Sequence, residues 1–159
     1  MGIPTAQYAL SRLAGMLSEP SMEQPQKSFT IEEANQLLGH IAPLVEQLQH
    51  LQASILKTNH QLDEAVQKLA QGNGYPIQEI KQQIQDLTKH QLHLLEAFQS
   101  ALQQLESLGC VLKDMTTGLV DFYSLRDGEL VFLCWRLGED RIRFWHRLED
   151  GFTGRQPLA

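Results

Sequence analysis

Apolar residues recur along most of the chain at alternating steps of three and four. The first run is Leu37, Ile41, Leu44, Leu48, Leu51, Ile55, Leu62, Val66 and Leu69, and the second is Ile77, Ile80, Ile84, Leu87, Leu94, Phe98, Leu105 and Leu108. This heptad spacing predicts two helices that share an apolar seam. Between them lies Gly72-Asn73-Gly74-Tyr75-Pro76. The glycines favour a tight reversal and Pro76 suits the first turn of a helix, so residues 30–108 read as a long antiparallel, coiled-coil-like hairpin. Folding at that turn sets Leu69 against Ile77, Val66 against Ile80, Leu62 against Ile84, Leu48 against Phe98 and Ile41 against Leu105. Thr58, Asn59 and Gln91 interrupt the seam, and such a polar layer fixes register at a cost in stability. Leu38, Val45, Leu56, Leu92, Leu95 and Leu102 form a second apolar set. They widen the stripe beyond what one antiparallel neighbour covers.

Thr30-Ile31-Glu32-Glu33 is a capping box that starts the first helix. Pro43 falls inside the helical pattern and predicts a bend there. Gly109 reads as the stop of the second helix. Beyond it the period becomes two. Residues 110–113, 119–125, 129–137 and 141–148 read as strands, and 149–158 as an irregular tail. Asp127-Gly128 and Gly138-Glu139 read as two-residue hairpin turns. The first turn pairs Phe122 with Leu133 and Val120 with Trp135. The second pairs Leu133 with Phe144, Trp135 with Ile142 and Val131 with His146. One sheet face is then Val120, Phe122, Val131, Leu133, Trp135, Ile142, Phe144 and His146, packed on the hairpin base. The other carries Asp121, Tyr123, Phe132, Cys134, Arg143, Trp145 and Arg147. The fold class that follows is α+β, mainly α: a helical hairpin with a small antiparallel β-meander at its base. Residues 1–26 read as an extension, flexible or docked as a short helix around Tyr8 to Leu17. Residues 27–159 read as a single domain.

Charge and cysteine content narrow the function classes. A formal net charge of -6 argues against general nucleic-acid binding. No apolar run is long enough to span a membrane, and the start lacks a signal peptide's basic end and apolar centre. Cys110 and Cys134 fall in segments read as buried strands, which points to reduced core thiols and a cytoplasmic protein. The hairpin region 30–108 holds fifteen glutamines and no arginine, whereas six of the seven arginines follow Cys110.

Several stretches carry a family resemblance. They are Lys27-Ser28-Phe29-Thr30-Ile31-Glu32-Glu33-Ala34-Asn35, Gly118-Leu119-Val120-Asp121-Phe122, Leu133-Cys134-Trp135, Leu137-Gly138-Glu139, Phe144-Trp145-His146 and the closing Gly151-Phe152-Thr153-Gly154-Arg155-Gln156-Pro157-Leu158. In these the chain resembles a bacterial family catalogued as domain of unknown function 2203, from Lys27 to the end. The resemblance implies the domain boundary at residue 27 and brings no activity, substrate or cofactor with it.

No phosphate loop, nucleophile elbow, dinucleotide fingerprint or paired-cysteine motif occurs. His146 is the candidate catalytic residue. It reads either as a buried, carbonyl-bonded histidine or as a general base or metal ligand with Glu139, Glu149 or Asp150 nearby. His60, His90 and His93 on the hairpin, with Glu96, form a second and sparser metal set, lacking the paired carboxylate-histidine motif of helical-bundle sites. Cys134, mid-strand between Leu133 and Trp135, reads as inert core. The candidate binding surface is Asp121, Tyr123, Phe132, Arg143 and Trp145, with Arg155 from the tail. There Tyr123, Phe132 and Trp145 are expected as one aromatic row. The leading reading is a non-enzymatic interaction or scaffold module acting through hairpin self-association, as a homodimer or with another protein partner. The alternative is a small metal- or ligand-binding enzyme with its site near His146. No cofactor is predicted, and a divalent metal enters only with that alternative.

Overall fold

The computed structural model describes residues 27–158, so the expected N-terminal extension lies outside the described residues. The first helix, α1, spans Ile31–Gln71. Its start is chemically fixed. The Glu33 amide donates to Thr30 Oγ1 at 3.1 Å, satisfying one of the amides that a helix start leaves without an internal partner. Glu32 and Glu33 place negative charge at the positive end of the helix dipole. The helix continues through Pro43. The second helix, α2, spans Ile77–Ser107. Gly72 and Gly74 take φ values of 67° and 77° in the reversal. Pro76 stands just before α2, and its carbonyl accepts from the Ile80 amide at 3.1 Å.

The described chain forms two compact units, one of His50–Ser100 and one of residues 27–49 with 101–158. In the first unit the two helix segments share a core of Leu62, Ala65, Ile80 and Ile84, with Leu69 and Leu87 against it. Leu62 and Ile84 thus lie in one cluster, as folding at the turn requires. Val66 and Ile77 do not join it, being 36% and 46% exposed. Steps of three then four from Leu62 through Ala65 to Leu69 satisfy the heptad as well as four then three through Val66. Periodicity alone therefore did not choose between them. The polar layer is buried, and its side chains are bonded except at Gln91 Oε1, which has no hydrogen-bond partner. Gln91 Nε2 donates to the Ile55 carbonyl at 3.1 Å and to Asn59 Oδ1 at 3.3 Å, and Thr58 Oγ1 donates to the Ser54 carbonyl at 2.9 Å.

The second unit holds the sheet. Strands β1 (Val111–Asp114), β2 (Leu119–Arg126), β3 (Glu129–Arg136), β4 (Phe144–Arg147) and β5 (Gln156–Pro157) pair antiparallel in chain order. Val120, Phe122, Val131, Leu133 and Trp135 of the sheet are buried, and so are Ile41, Val45, Leu102 and Leu105 of the helices. Polar bonds tie the start of α1 to this sheet. The Phe29 amide donates to the Tyr123 carbonyl at 2.7 Å, Ser124 Oγ donates back to the Phe29 carbonyl, and Gln49 Nε2 donates to the carbonyls of Met115 and Thr116. Phe29 also meets Phe122 edge-on, with ring centroids 5.5 Å apart. Among the described residues no helix is long and apolar enough to cross a membrane.

The first β-hairpin has the register its turn dictates. Asp127 and Gly128 take φ of 51° and 81°, the left-handed pair that a type I′ turn requires. Val120 is opposite Trp135 and Phe122 is opposite Leu133. The second hairpin is different. Leu133 is opposite Trp145, Cys134 opposite Phe144, Phe132 opposite His146 and Val131 opposite Arg147. This is one residue away from the pairing expected of a Gly138-Glu139 turn, and a one-residue slip moves every β4 side chain to the other face. The cause is a longer connection. The Glu139 amide bonds the Arg136 carbonyl, and the Ile142 amide leaves the sheet to donate to Asn35 Oδ1 on α1 at 2.7 Å. The strand read over residues 141–148 therefore pairs only from Phe144 to Arg147. The tail read as irregular forms a turn of 3-10 helix at Phe152–Gly154 and then β5, where Trp145 is opposite Gln156.

Gly118 lies at a tight approach inside the sheet-bearing unit. It takes φ +69°, and a Cβ there would sit 2.7 Å from Leu137 Cβ and 3.1 Å from Val45 Cγ1. Gly118→Ala should destabilise the fold by about 2–4 kcal/mol, from left-handed strain and overpacking together. Urea unfolding should show a lower midpoint at unchanged slope. A midpoint equal to that of the parent would show that this approach is loose.

Candidate functional site

The slip in β4 creates a polar centre inside the sheet-bearing unit. Asp121 on β2, Cys134 on β3 and His146 on β4 now share one face. Asp121 is directly opposite Cys134, and His146 lies diagonal to it through its pairing with Phe132. Their exposures are 1%, 0% and 2%. His146 Nε2 is 3.0 Å from Asp121 Oδ2, and its Nδ1 is 2.8 Å from the Arg147 carbonyl. A carbonyl only accepts, so Nδ1 carries a proton and donates. One further proton then sits between Nε2 and the carboxylate. Asp121 Oδ1 has no hydrogen-bond partner. One ligand atom from each of the three residues lies within 4.8 Å of the other two.

The electrostatics follow from the geometry. Burial pulls the His146 pKa down. The hydrogen bond to Asp121, that to Cys134, the Arg147 carbonyl and the Asp121 charge more than reverse this and push it up to about 10. Rings enclose the centre. Phe132 lies between Tyr123 and His146, with centroids at 4.6 Å and 5.4 Å, and Lys113 Nζ stands 4.8 Å from the Phe132 centroid. The other thiol contrasts with this. Cys110 Sγ donates to the Leu105 carbonyl, and burial first, then the charge of Glu106, pushes its pKa up to about 12 against a backbone hydrogen bond. Cys110 is an inert core thiol. Neither cysteine is in a disulfide.

Beside the centre the tail folds back. Arg155 Nη2 donates to Glu139 Oε1 at 2.8 Å and Oε2 at 2.9 Å, and more weakly to the Cys134 carbonyl at 3.3 Å. Its guanidinium stands 4.2 Å from the Phe144 ring centroid and 4.7 Å from that of Phe152. Glu139 is further occupied: its Oε2 accepts from the Arg136 amide and its carbonyl accepts from Trp135 Nε1. The Glu139 carboxylate thus holds the tail and the turn and makes no contact with His146.

The sequence-derived candidates are placed as follows. His146, Asp121, Tyr123 and Phe132 come together, with His146 in the aromatic row where Trp145 was expected. Trp145 is on the opposite face, across from Leu133, with the Arg126 guanidinium 4.8 Å from its centroid. Arg143 pairs with Asp140 at 2.9 Å on the surface. Glu149 is exposed and outside the cluster. On the hairpin, His60 pairs with Glu64 at an exposed site, and His90 and His93 are exposed. Sequence reasoning read Cys134 as inert core; the structure places it beside Asp121 and His146. Asp121 opposite Cys134 was already fixed by the Asp127-Gly128 turn, so two of the cluster's three residues were visible there.

The sequence matches the family described as "Uncharacterized conserved protein (DUF2203)" over residues 27–158. No curated protein and no solved structure matches it. That match takes in every residue of the polar centre, the Arg155 contacts and both helices, and the chain belongs to the DUF2203 family.

Proposed function

We propose that the protein acts by binding another protein, a second copy of itself, through the apolar flank of its helical hairpin. A contrast within one stripe carries this reading. In the sheet-bearing unit the flanking residues Leu38, Val45 and Leu102 are buried, at 8% exposure or less. In the unit of His50–Ser100 their counterparts Leu56 and Leu92 are 44% and 43% exposed, although Leu95 is buried. Val66 and Ile77 add to the exposed aliphatic surface of that unit. Exposed apolar surface of this kind marks interaction sites.

Two-fold pairing apposes the same flank on both copies and gives a four-helix arrangement. Sedimentation equilibrium should show dimer forming in the micromolar range. Leu56→Asp with Leu92→Asp should return the protein to monomer with its circular dichroism unchanged. A parent protein that stays monomeric to millimolar concentration would remove this reading.

A further inference from the structure

We infer that Asp121, Cys134 and His146 form a binding site for one divalent transition-metal ion, with zinc as the fitting cation. Four features of the polar centre fit such a site, and none depends on how the hairpin self-associates.

The first feature is distance. In a zinc tetrahedron with bonds of about 2.0–2.3 Å, neighbouring donors stand roughly 3.3–3.8 Å apart. Here His146 Nε2 and Asp121 Oδ2 are 3.0 Å apart and the whole set lies within 4.8 Å. Shifts of a few tenths of an ångström to about one ångström in side chains bring the set to that spacing. The second feature is the histidine's orientation. Its Nδ1 donates to the Arg147 carbonyl, which leaves Nε2 as the nitrogen with a lone pair for a metal. A ligating histidine characteristically has this outer bond, which fixes its tautomer and ring plane.

The third feature is an unsatisfied group. Asp121 is 1% exposed, and its Oδ1 has no hydrogen-bond partner. A buried carboxylate oxygen without a partner costs free energy, and a cation beside the same carboxylate offsets that cost. The fourth is charge. A divalent ion with one carboxylate, one thiolate and one neutral imidazole sums to zero, the balance that burial demands. Thiolate and imidazole also select zinc over magnesium or calcium, which take oxygen donors. On binding, the Cys134 thiol and the Asp121–His146 pair each release one proton, and the metal–ligand bonds replace them. Three protein donors leave one position of the tetrahedron to a non-protein ligand.

A cysteine-nucleophile reading of the same residues fails on geometry. A Cys-His-Asp relay needs the thiol and the carboxylate on opposite ring nitrogens. Asp121 holds Nε2, and the Arg147 carbonyl holds Nδ1.

The test uses full-length protein without a histidine tag, stripped with chelator and titrated with Co²⁺ and then Zn²⁺. One Co²⁺ per chain should bind, with a thiolate-to-cobalt charge-transfer band and the visible absorption of four-coordination. One equivalent of Zn²⁺ should bleach both. Cys134→Ser should abolish the charge-transfer band, while Cys110→Ser retains it. Asp121→Asn and His146→Gln should each weaken Co²⁺ binding by at least about 100-fold, the upper range for loss of an outer-sphere partner alone. If Cys134→Ser does not fold, the parent and the Cys110→Ser protein still decide the matter, since Cys134 is then the only thiol. Absence of the band in parent protein overturns the inference. So does a band that survives Cys134→Ser.

Discussion

Asp121→Ala in chelator-treated protein should lose about 3–5 kcal/mol of folding stability, the usual cost of removing one member of a buried charged pair. The reason lies in what stays behind. His146 is 2% exposed and its Nε2 faces Asp121 Oδ2 at 3.0 Å. Without the carboxylate, that nitrogen is buried with only the Cys134 thiol beside it. Asp121→Asn should lose less, because the neutral ring keeps its Nδ1 proton on the Arg147 carbonyl and accepts from the new amide at Nε2. A double variant with His146→Ala should cost less than the sum of the two single changes, since the pair acts as a unit.

The same pair predicts the pH profile. Its hydrogen bonds and the Asp121 charge overcome burial and raise the His146 pKa from 6.5 to about 10. A raised folded-state value means that this stabilisation is fully present below the unfolded value, near 6.5, and is lost as pH climbs through about 10. The thermal midpoint of the chelator-treated parent should therefore fall from pH 7 to pH 10, and His146→Gln should flatten that fall. Equal slopes in parent and variant would show that His146 does not titrate against Asp121.

The second large effect is expected at Arg155. Arg155→Ala should lower stability by about 3 kcal/mol and open the tail to proteolysis. The side chain is 11% exposed and its partner Glu139 is 17% exposed, so little water screens the pair. The substitution also removes the cation from between Phe144 and Phe152 and the donor from the Cys134 carbonyl. Arg155→Lys should recover only part of the loss, because an ammonium does not reproduce the planar stack on the rings. Glu139→Gln should fall between the two, since its amide still accepts one hydrogen bond. Urea unfolding and limited proteolysis after residue 150 read these effects. An Arg155→Ala protein with parental midpoint and parental proteolysis would show that the tail is held by β5 pairing alone.

Where the controlling interactions are local, the sequence by itself determined the outcome. Thr30 and Glu33 start α1 because the cap is a contact three residues long. Gly72 and Gly74 reverse the chain because only glycine takes those positive φ values cheaply. Asp127-Gly128 fixes the β2–β3 register because two left-handed residues leave one way to close a hairpin. From that turn alone Asp121 is opposite Cys134 and Phe122 is opposite Leu133.

The tertiary structure decided the rest, and did so with contacts between residues far apart in the chain. The choice of Ala65 over Val66 in the hairpin seam rests on packing against α2, to which heptad spacing is indifferent. The register of β4 rests on Asn35 holding the Ile142 amide across 107 residues and on Arg155 holding Glu139 across 16. Neither bond leaves a periodic trace in the sequence. A strand's side chains alternate with period two, so these bonds settled by a single residue whether His146 pointed into the apolar core or toward Asp121 and Cys134. The polar centre exists because of that one-residue step, which is why alternation placed His146 on the wrong face.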